Sequence, residues 1–384
     1  MNKNLPEMKR RWPEDDDSAQ SLKPYISKRK KQMNNVDRSK STANGTTTDF
    51  ESGSKIFTIN PTVACHVGKD VICKLPRSKS KDFHEHTEAV TSLQWNASHY
   101  SHLLLTSSLD RKVKIWDCFS LKRCVRTLTC HEAGVKSALW TVDGENVLSG
   151  GFDKTVKLTD AQYSRTFQEF DHTAFITCLQ LCPSDPQLFL AGTDDSAIYC
   201  WDMRVGEAVH EYKGKLGQIL SLEFLPGRDE FLASCDFVCR NSDDRNIMVF
   251  DLRTTAVISN QIYHEKYTCP SLKVHPEGSV FVAQSNANYA AMFSTNPPFR
   301  LNKFKRFEGH QVEGYTINCD FSPDGSVFAS GSSDGKLFFY NFVSTEIIKT
   351  LSAYDTACTN IQFHPVLGNM VASGSWNGQV TVWH

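Results

Sequence analysis

The sequence predicts an all-β fold of seven similar units, and three observations predict it. First, an acidic or amide residue recurs in a turn six residues before the end of an apolar strand. It appears as Asp110, Asp153, Asp195, Asp244, Asn286, Asp334 and Asn377, at intervals of 43, 42, 49, 42, 48 and 43. Self-similarity at such a period marks a repeat architecture, in which each unit buries its apolar faces against its neighbours. Second, six residues after each of these stands Trp116, Thr159, Trp201, Phe250, Met292, Tyr340 or Trp383. Third, 22 to 24 residues upstream lies His86, His131, His172, His264 or His310; Tyr354 takes that place in the seventh unit, and the fourth has no His.

The strands show themselves inside each unit. Val113-Lys114-Ile115-Trp116, Val156-Lys157-Leu158 and Val380-Thr381-Val382-Trp383 alternate as half-buried strands do. Turn signals separate them: Asp143-Gly144, Pro323-Asp324-Gly325, Asp334-Gly335 and Asn377-Gly378. No segment keeps a 3.6-residue period over a helical length.

Composition sets the outer limits. Of 384 residues, 40% are hydrophobic and 22% charged, enough to build a core. The net charge of −1 gives no whole-chain attraction to nucleic acid or membrane. The 13 cysteines contain no C-x-x-C, and the closest pairs, Cys178/Cys182 and Cys235/Cys239, have poor zinc spacing. Free, mostly buried thiols in a reducing compartment and no metal are expected. The N-terminus lacks the apolar stretch of a secretory signal, and no run approaches a membrane span. Residues 1–54 are polar and charge-blocked, too poor in apolar side chains to offset ordering entropy, so they read as a disordered tail ahead of a repeat domain at 55–384. Within the tail, Lys28-Arg29-Lys30-Lys31 suits a nuclear-import patch.

Period, turn chemistry and strand endings together resemble the WD-repeat family over about residues 60–384. The resemblance implies a seven-bladed WD-repeat β-propeller, each blade a four-stranded sheet facing a central channel. It also implies that the recurring His, Ser/Thr, Asp and Trp form a buried polar network, complete in unit one as His86, Thr106, Asp110 and Trp116. Sevenfold recurrence makes these His and Asp residues structural rather than catalytic. The chain stops after the third strand of the last unit, so an outer strand must come from elsewhere. Residues 70–76, just before the repeats begin at about 84, are the expected closing strand. The sequence holds no phosphate loop, H-E-x-x-H, G-x-S-x-G or dinucleotide fingerprint, so no catalytic activity and no cofactor are expected.

Three features could bind partners. The residue before each turn Asp should point out of one face near the channel. This predicts an apolar arc of Trp376, Leu109 and Phe152, followed by acidic Asp194 and Asp243. The endings Trp201-Asp202-Met203-Arg204 and Phe250-Asp251-Leu252-Arg253 resemble the box of WD-repeat substrate receptors of cullin–RING ligases. There the Arg engages the ligase adaptor; the plain alternative is an Arg paired with a carboxylate on its own or the adjacent blade. The long intervals arise from insertions at 236–243 and near Asn296-Pro297-Pro298. After the second, Arg300, Lys303, Lys305 and Arg306 interleave with Phe299, Phe304 and Phe307. That pattern can hold RNA by phosphate contact and stacking, but the alternation in Lys303-Phe304-Lys305 favours a strand with one charged and one buried face.

The segments 148–153, 258–272 and 309–315 resemble one branch of the family, and Gly309-His310, Gly314-Tyr315, Asp320-Phe321-Ser322-Pro323 and Gly374-Ser375-Trp376-Asn377-Gly378 resemble its splicing members. The expected role is a non-catalytic protein-interaction scaffold linked to pre-mRNA splicing. It would be a monomer within a larger complex, nuclear and also cytoplasmic, with spliceosomal partners. The alternative is a cullin–RING substrate receptor whose partner is the ligase adaptor.

Overall fold

A computed structural model describes residues 55–384, apart from 214–215, 237–245, 261 and 263–266. The chain forms seven four-stranded antiparallel sheets. Blades 1 to 6 run over residues 90–128, 135–171, 176–212, 219–259, 271–308 and 319–352; blade 7 takes 358–383 and its outer strand from Lys79–Phe83. In each blade the first strand faces the channel and the fourth lies at the rim. Second strands are the most deeply buried because neighbouring blades cover both of their faces: Leu103–Ser108 is buried at every position. Outer strands such as Glu207–Tyr212 are exposed along most of their length. The core therefore lies between blades, as where Leu148, Val156 and Phe170 meet Ile176 and Phe189.

The turn aspartates act locally. Asp110 Oδ1 accepts the Lys112 N–H at 3.0 Å, and Asp153 and Asn377 do the same for Thr155 and Gln379 at 3.3 and 3.2 Å. The residue between is left-handed, with φ of 69° at Arg111, 64° at Lys154 and 87° at Gly378. The carboxylate or amide fixes the tight link between second and third strands, and these links define one end of the ring, called here the turn face.

Closure differs from expectation. The closing strand is Lys79–Phe83, not residues 70–76; Phe83 pairs with Val380 and Lys81 with Val382. An outer strand needs little apolar surface, and Lys-Ser-Lys-Asp-Phe suffices: Phe83 packs on Trp116 with ring centroids 4.7 Å apart. The apolar residues at 70–76 instead belong to a strap crossing the face opposite the turns. There the Cys73 N–H donates to the Asp324 carboxylate at 2.8 Å and the Lys74 N–H to the Gly368 carbonyl at 2.9 Å. Upstream, the strap passes Ser120, bonded to Asn60 at 2.8 Å. It reaches blades 1 and 2, where Ile56 is buried and Phe57 lies 5.1 Å from the Tyr100 ring.

A belt of polar side chains on the channel strands ties blades together around most of the ring. Gln362 Oε1 accepts the Trp95 N–H at 2.6 Å, Gln94 Oε1 accepts the Trp140 N–H at 2.7 Å, and Asp320 Oδ2 accepts the Phe363 N–H at 2.9 Å. Gln180 donates to Glu223 at 3.3 Å, and Lys273 pairs with Asp320 at 3.5 Å. Leu139 stands at the same level in blade 2.

Candidate protein-docking face

Beneath the turn face the polar networks hold the loops. In blade 1, His86 Nδ1 bonds Asp110 at 2.9 Å, His86 Nε2 meets Thr106 Oγ1 at 2.8 Å, and Trp116 Nε1–H donates to the same Thr106 oxygen at 2.8 Å. In blade 2, His131 reaches Asp153 at 2.7 Å and Ser149 at 2.8 Å. Burial opposes charge on His131, but the hydrogen bond to Asp153 outweighs it and raises its pKa to about 9. Blade 7 substitutes Tyr354, whose hydroxyl lies 2.7 Å from Ser373 Oγ, while Trp383 Nε1–H donates to that oxygen at 2.8 Å. Blade 3 does not assemble the network. Thr193 donates to Asp195 at 2.6 Å instead, and Trp201 Nε1 and His172 Nε2 find no hydrogen-bond partner among the described residues. Burial, with no compensating bond, lowers the His172 pKa to about 4.

On this platform the aromatic arc resolves into two pairs. Phe152 and Phe175 meet edge-to-face at 5.7 Å and are 38% and 39% exposed. The Lys154 ammonium stands 5.6 Å from the Phe175 ring centre. Trp376, 47% exposed, meets Tyr315 at 5.3 Å. Leu109 is half-buried; a side chain on Gly134 would stand only 3.2 Å from it, so it fills the seam between blades 1 and 2 and does not bridge the pairs. Asp194 is exposed and turned inward: its carboxylate accepts the Phe175 N–H at 2.8 Å, which props up that ring. Sequence reasoning missed Phe175 and Tyr315 because they sit on the loops entering blades 3 and 6, outside the repeated turn. Asp243, most of the 236–243 insertion and Lys28–Lys31 lie outside the described residues.

The Trp-Asp-x-Arg endings lie on the opposite face, and there the plain alternative describes the geometry. The Arg204 guanidinium folds onto Asp202, Nε–Oδ1 2.9 Å and a terminal nitrogen to Oδ2 2.6 Å, with Asp185 at 3.3 Å. Arg253 pairs with Asp229 at 2.8 Å. The Asp itself caps a turn: Asp202 accepts the Arg204 N–H at 2.8 Å, and Asp251 accepts those of Arg253 and Thr254 at 3.0 and 2.7 Å. Asp117 does the same without any Arg, accepting the Phe119 and Ser120 N–H groups at 2.9 and 2.8 Å. Trp201 packs at a tilt against His172 within blade 3, ring centroids 5.0 Å apart.

The basic–aromatic segment also needs correction. Phe299 and Phe307 are buried, but Phe304 is 98% exposed. Strand pairing jumps from Arg306 opposite Ala291 to Leu301 opposite Phe293, so residues 302–305 bulge outward and the expected buried face is absent there.

Among the described residues no group of three His, Cys, Asp or Glu is arranged to hold a metal ion, and no helix is long and apolar enough to cross a membrane.

The "WD domain, G-beta repeat" family model matches residues 77–117, 122–160, 163–202, 301–341 and 345–384. The chain is 40% identical to mouse "WD repeat-containing protein 25" over 78% of its own length and 56% of that protein. It is 30% identical to human "Pre-mRNA-processing factor 17" over 81% of its length and 53% of that protein, and 27% identical to the Saccharomyces cerevisiae protein of that name over 81% and 67%. It thus spans about half the length of its first two relatives. The unmatched stretch 203–300 contains the 236–243 insertion, the Asn296-Pro297-Pro298 insertion and a fourth unit with neither the recurring His nor the Trp, yet builds blade 4 and most of blade 5 in phase with the rest. With five matched repeats and seven sheets closed in a ring, the chain belongs to the WD-repeat family of β-propellers.

Proposed function

We propose that this chain is a non-catalytic scaffold in nuclear pre-mRNA processing, and that protein partners dock on its turn face through Trp376–Tyr315 and Phe152–Phe175. What supports docking is that exposed aromatic rings stand on a face whose backbone is already immobilised by buried polar networks. Large rings on a preformed platform bury area at little entropic cost. The process is supported by relatives that carry the name Pre-mRNA-processing factor 17. In this reading the Lys28–Lys31 cluster serves import, and the chain acts as one subunit of a larger assembly. Arg204 and Arg253, the residues a ligase adaptor would engage, are paired instead with carboxylates beside them.

Affinity purification of the tagged chain from nuclear extract tests this. Splicing proteins are expected with the wild type and equally with Arg204→Ala/Arg253→Ala. Recovery should fall by about tenfold with Phe152→Ala/Trp376→Ala, the loss of one modest hot spot. Unchanged recovery with the aromatic variant would sink the docking face. A wild-type eluate free of splicing proteins would sink the process.

A further inference from the structure

The strap face carries a second feature, a groove of about 460 Å³ between blades 2 and 3, lined by Val142, Leu158, Phe167, Pro186 and Met203 among others. Val142 is 57% and Phe167 55% exposed. The equivalent groove between blades 1 and 2 is filled by the chain itself. There Ile56 is buried among Ile115, Val125, Trp140 and Ala161, and its N–H donates to Gln162 at 2.9 Å.

The two grooves correspond residue by residue. Ile115 pairs with Arg126 and Trp116 with Cys124, leaving Val125 as the bulged residue; Leu158 pairs with Gln168 and Thr159 with Thr166, leaving Phe167 in the same place. The Ala161 N–H bonds the Glu145 carbonyl as the Met203 N–H bonds that of Gln187. Leu158, Phe167 and Met203 thus repeat Ile115, Val125 and Ala161. Val142 adds an apolar contact at the loop position where the next five blades carry a proline. The mouth is net acidic: Asp143 lies in the lining, and Asp185, next to Pro186, shares the single Arg204 guanidinium with Asp202.

From this we infer that the groove between blades 2 and 3 receives an extended segment of a partner protein that carries a basic, then an aliphatic, then an aromatic residue. Lys55-Ile56-Phe57 is the pattern already seated next door. The aliphatic side chain enters against Leu158 and Met203, the aromatic ring covers Val142 or Phe167, and the basic residue meets the acidic mouth. This gives the scaffold reading a second docking site, on the face opposite the aromatic pairs.

A library of peptides of roughly ten residues, long enough for an extended recognition segment, is selected against the full chain and against Val142→Asp/Phe167→Glu. The wild type should enrich a basic–aliphatic–aromatic consensus. A synthetic peptide of that consensus should bind the variant at least about tenfold more weakly, a 1.4 kcal/mol loss. Both side chains are mostly exposed, so the melting temperature should be retained. No consensus, or equal binding to both proteins, overturns the proposal. So does competition by a synthetic peptide of residues 44–54, which would make the groove a seat for this chain's own N-terminal region. Because Phe152→Ala/Trp376→Ala alters only the turn face, failure here and failure there are distinguishable.

Discussion

Thr106 shows what one buried hydroxyl can hold. Its oxygen sits 2.8 Å from both His86 Nε2 and Trp116 Nε1, all three side chains being buried. Thr106→Val keeps the shape and leaves two polar groups without partners. The expected loss is about 2–6 kcal/mol, one to three per orphaned group, measured by denaturant unfolding; a change below about 0.5 kcal/mol, the size of a neutral surface substitution, would deny the network its role. Protonation gives a second test. Burial holds His310 at about 4 and His364 at about 3, against an ordinary 6.5. Between those values the unfolded chain binds more protons than the folded one, so stability falls as pH drops below about 6.5, by about 1.4 kcal/mol per pH unit for each group. The melting temperature should drop steeply from pH 6.5 to 4.5, and His310→Gln should lessen the slope. His131 runs the other way: raised to about 9, it contributes stability present below its ordinary value and lost as pH rises through 9.

At the scale of the element, period and turn chemistry were legible because every blade repeats them for the same backbone reason. What was not legible was where repetition breaks. Val71, Cys73 and Leu75 alternate like an edge strand, and only the loops at Asp324 and Gly368 turn that alternation into a strap contact. Lys303-Phe304-Lys305 alternates too, but a bulge reverses which residue faces out, a register event that local pattern cannot reveal. The contrast is measurable. Phe304→Ala should leave stability unchanged, since the ring is 98% exposed. Phe307→Ala removes a buried ring 4.4 Å from Phe328 and should cost about 3–5 kcal/mol. Equal effects would mean that the segment forms a regular strand after all.

For the whole molecule, stability depends on closure. Channel strands bond the next blade through Gln94, Gln180 with Glu223, Lys273 with Asp320, and Gln362, and blade 2, with Leu139 at that level, meets blade 3 through apolar packing instead. The ring has one covalent gap, between blade 7's own three strands and the strand it borrows. Without Lys79–Phe83, strand Val380–Trp383 becomes an open edge with unpaired backbone groups, a template for another chain. Trp116 would lose its contact with Phe83 at the same time. The strap contributes differently: it buries Ile56 and packs Leu75, but pairs with no strand edge. Two shortened chains separate these roles. One beginning at Arg77 lacks the strap and should melt earlier, yet remain monomeric by light scattering. One beginning at Glu85 lacks the closing strand as well and should associate or precipitate at micromolar concentration, because an unpaired edge drives intermolecular pairing where lost surface contacts alone do not. If both shortened chains stayed monomeric, the three remaining strands of blade 7 would be enough to close the ring.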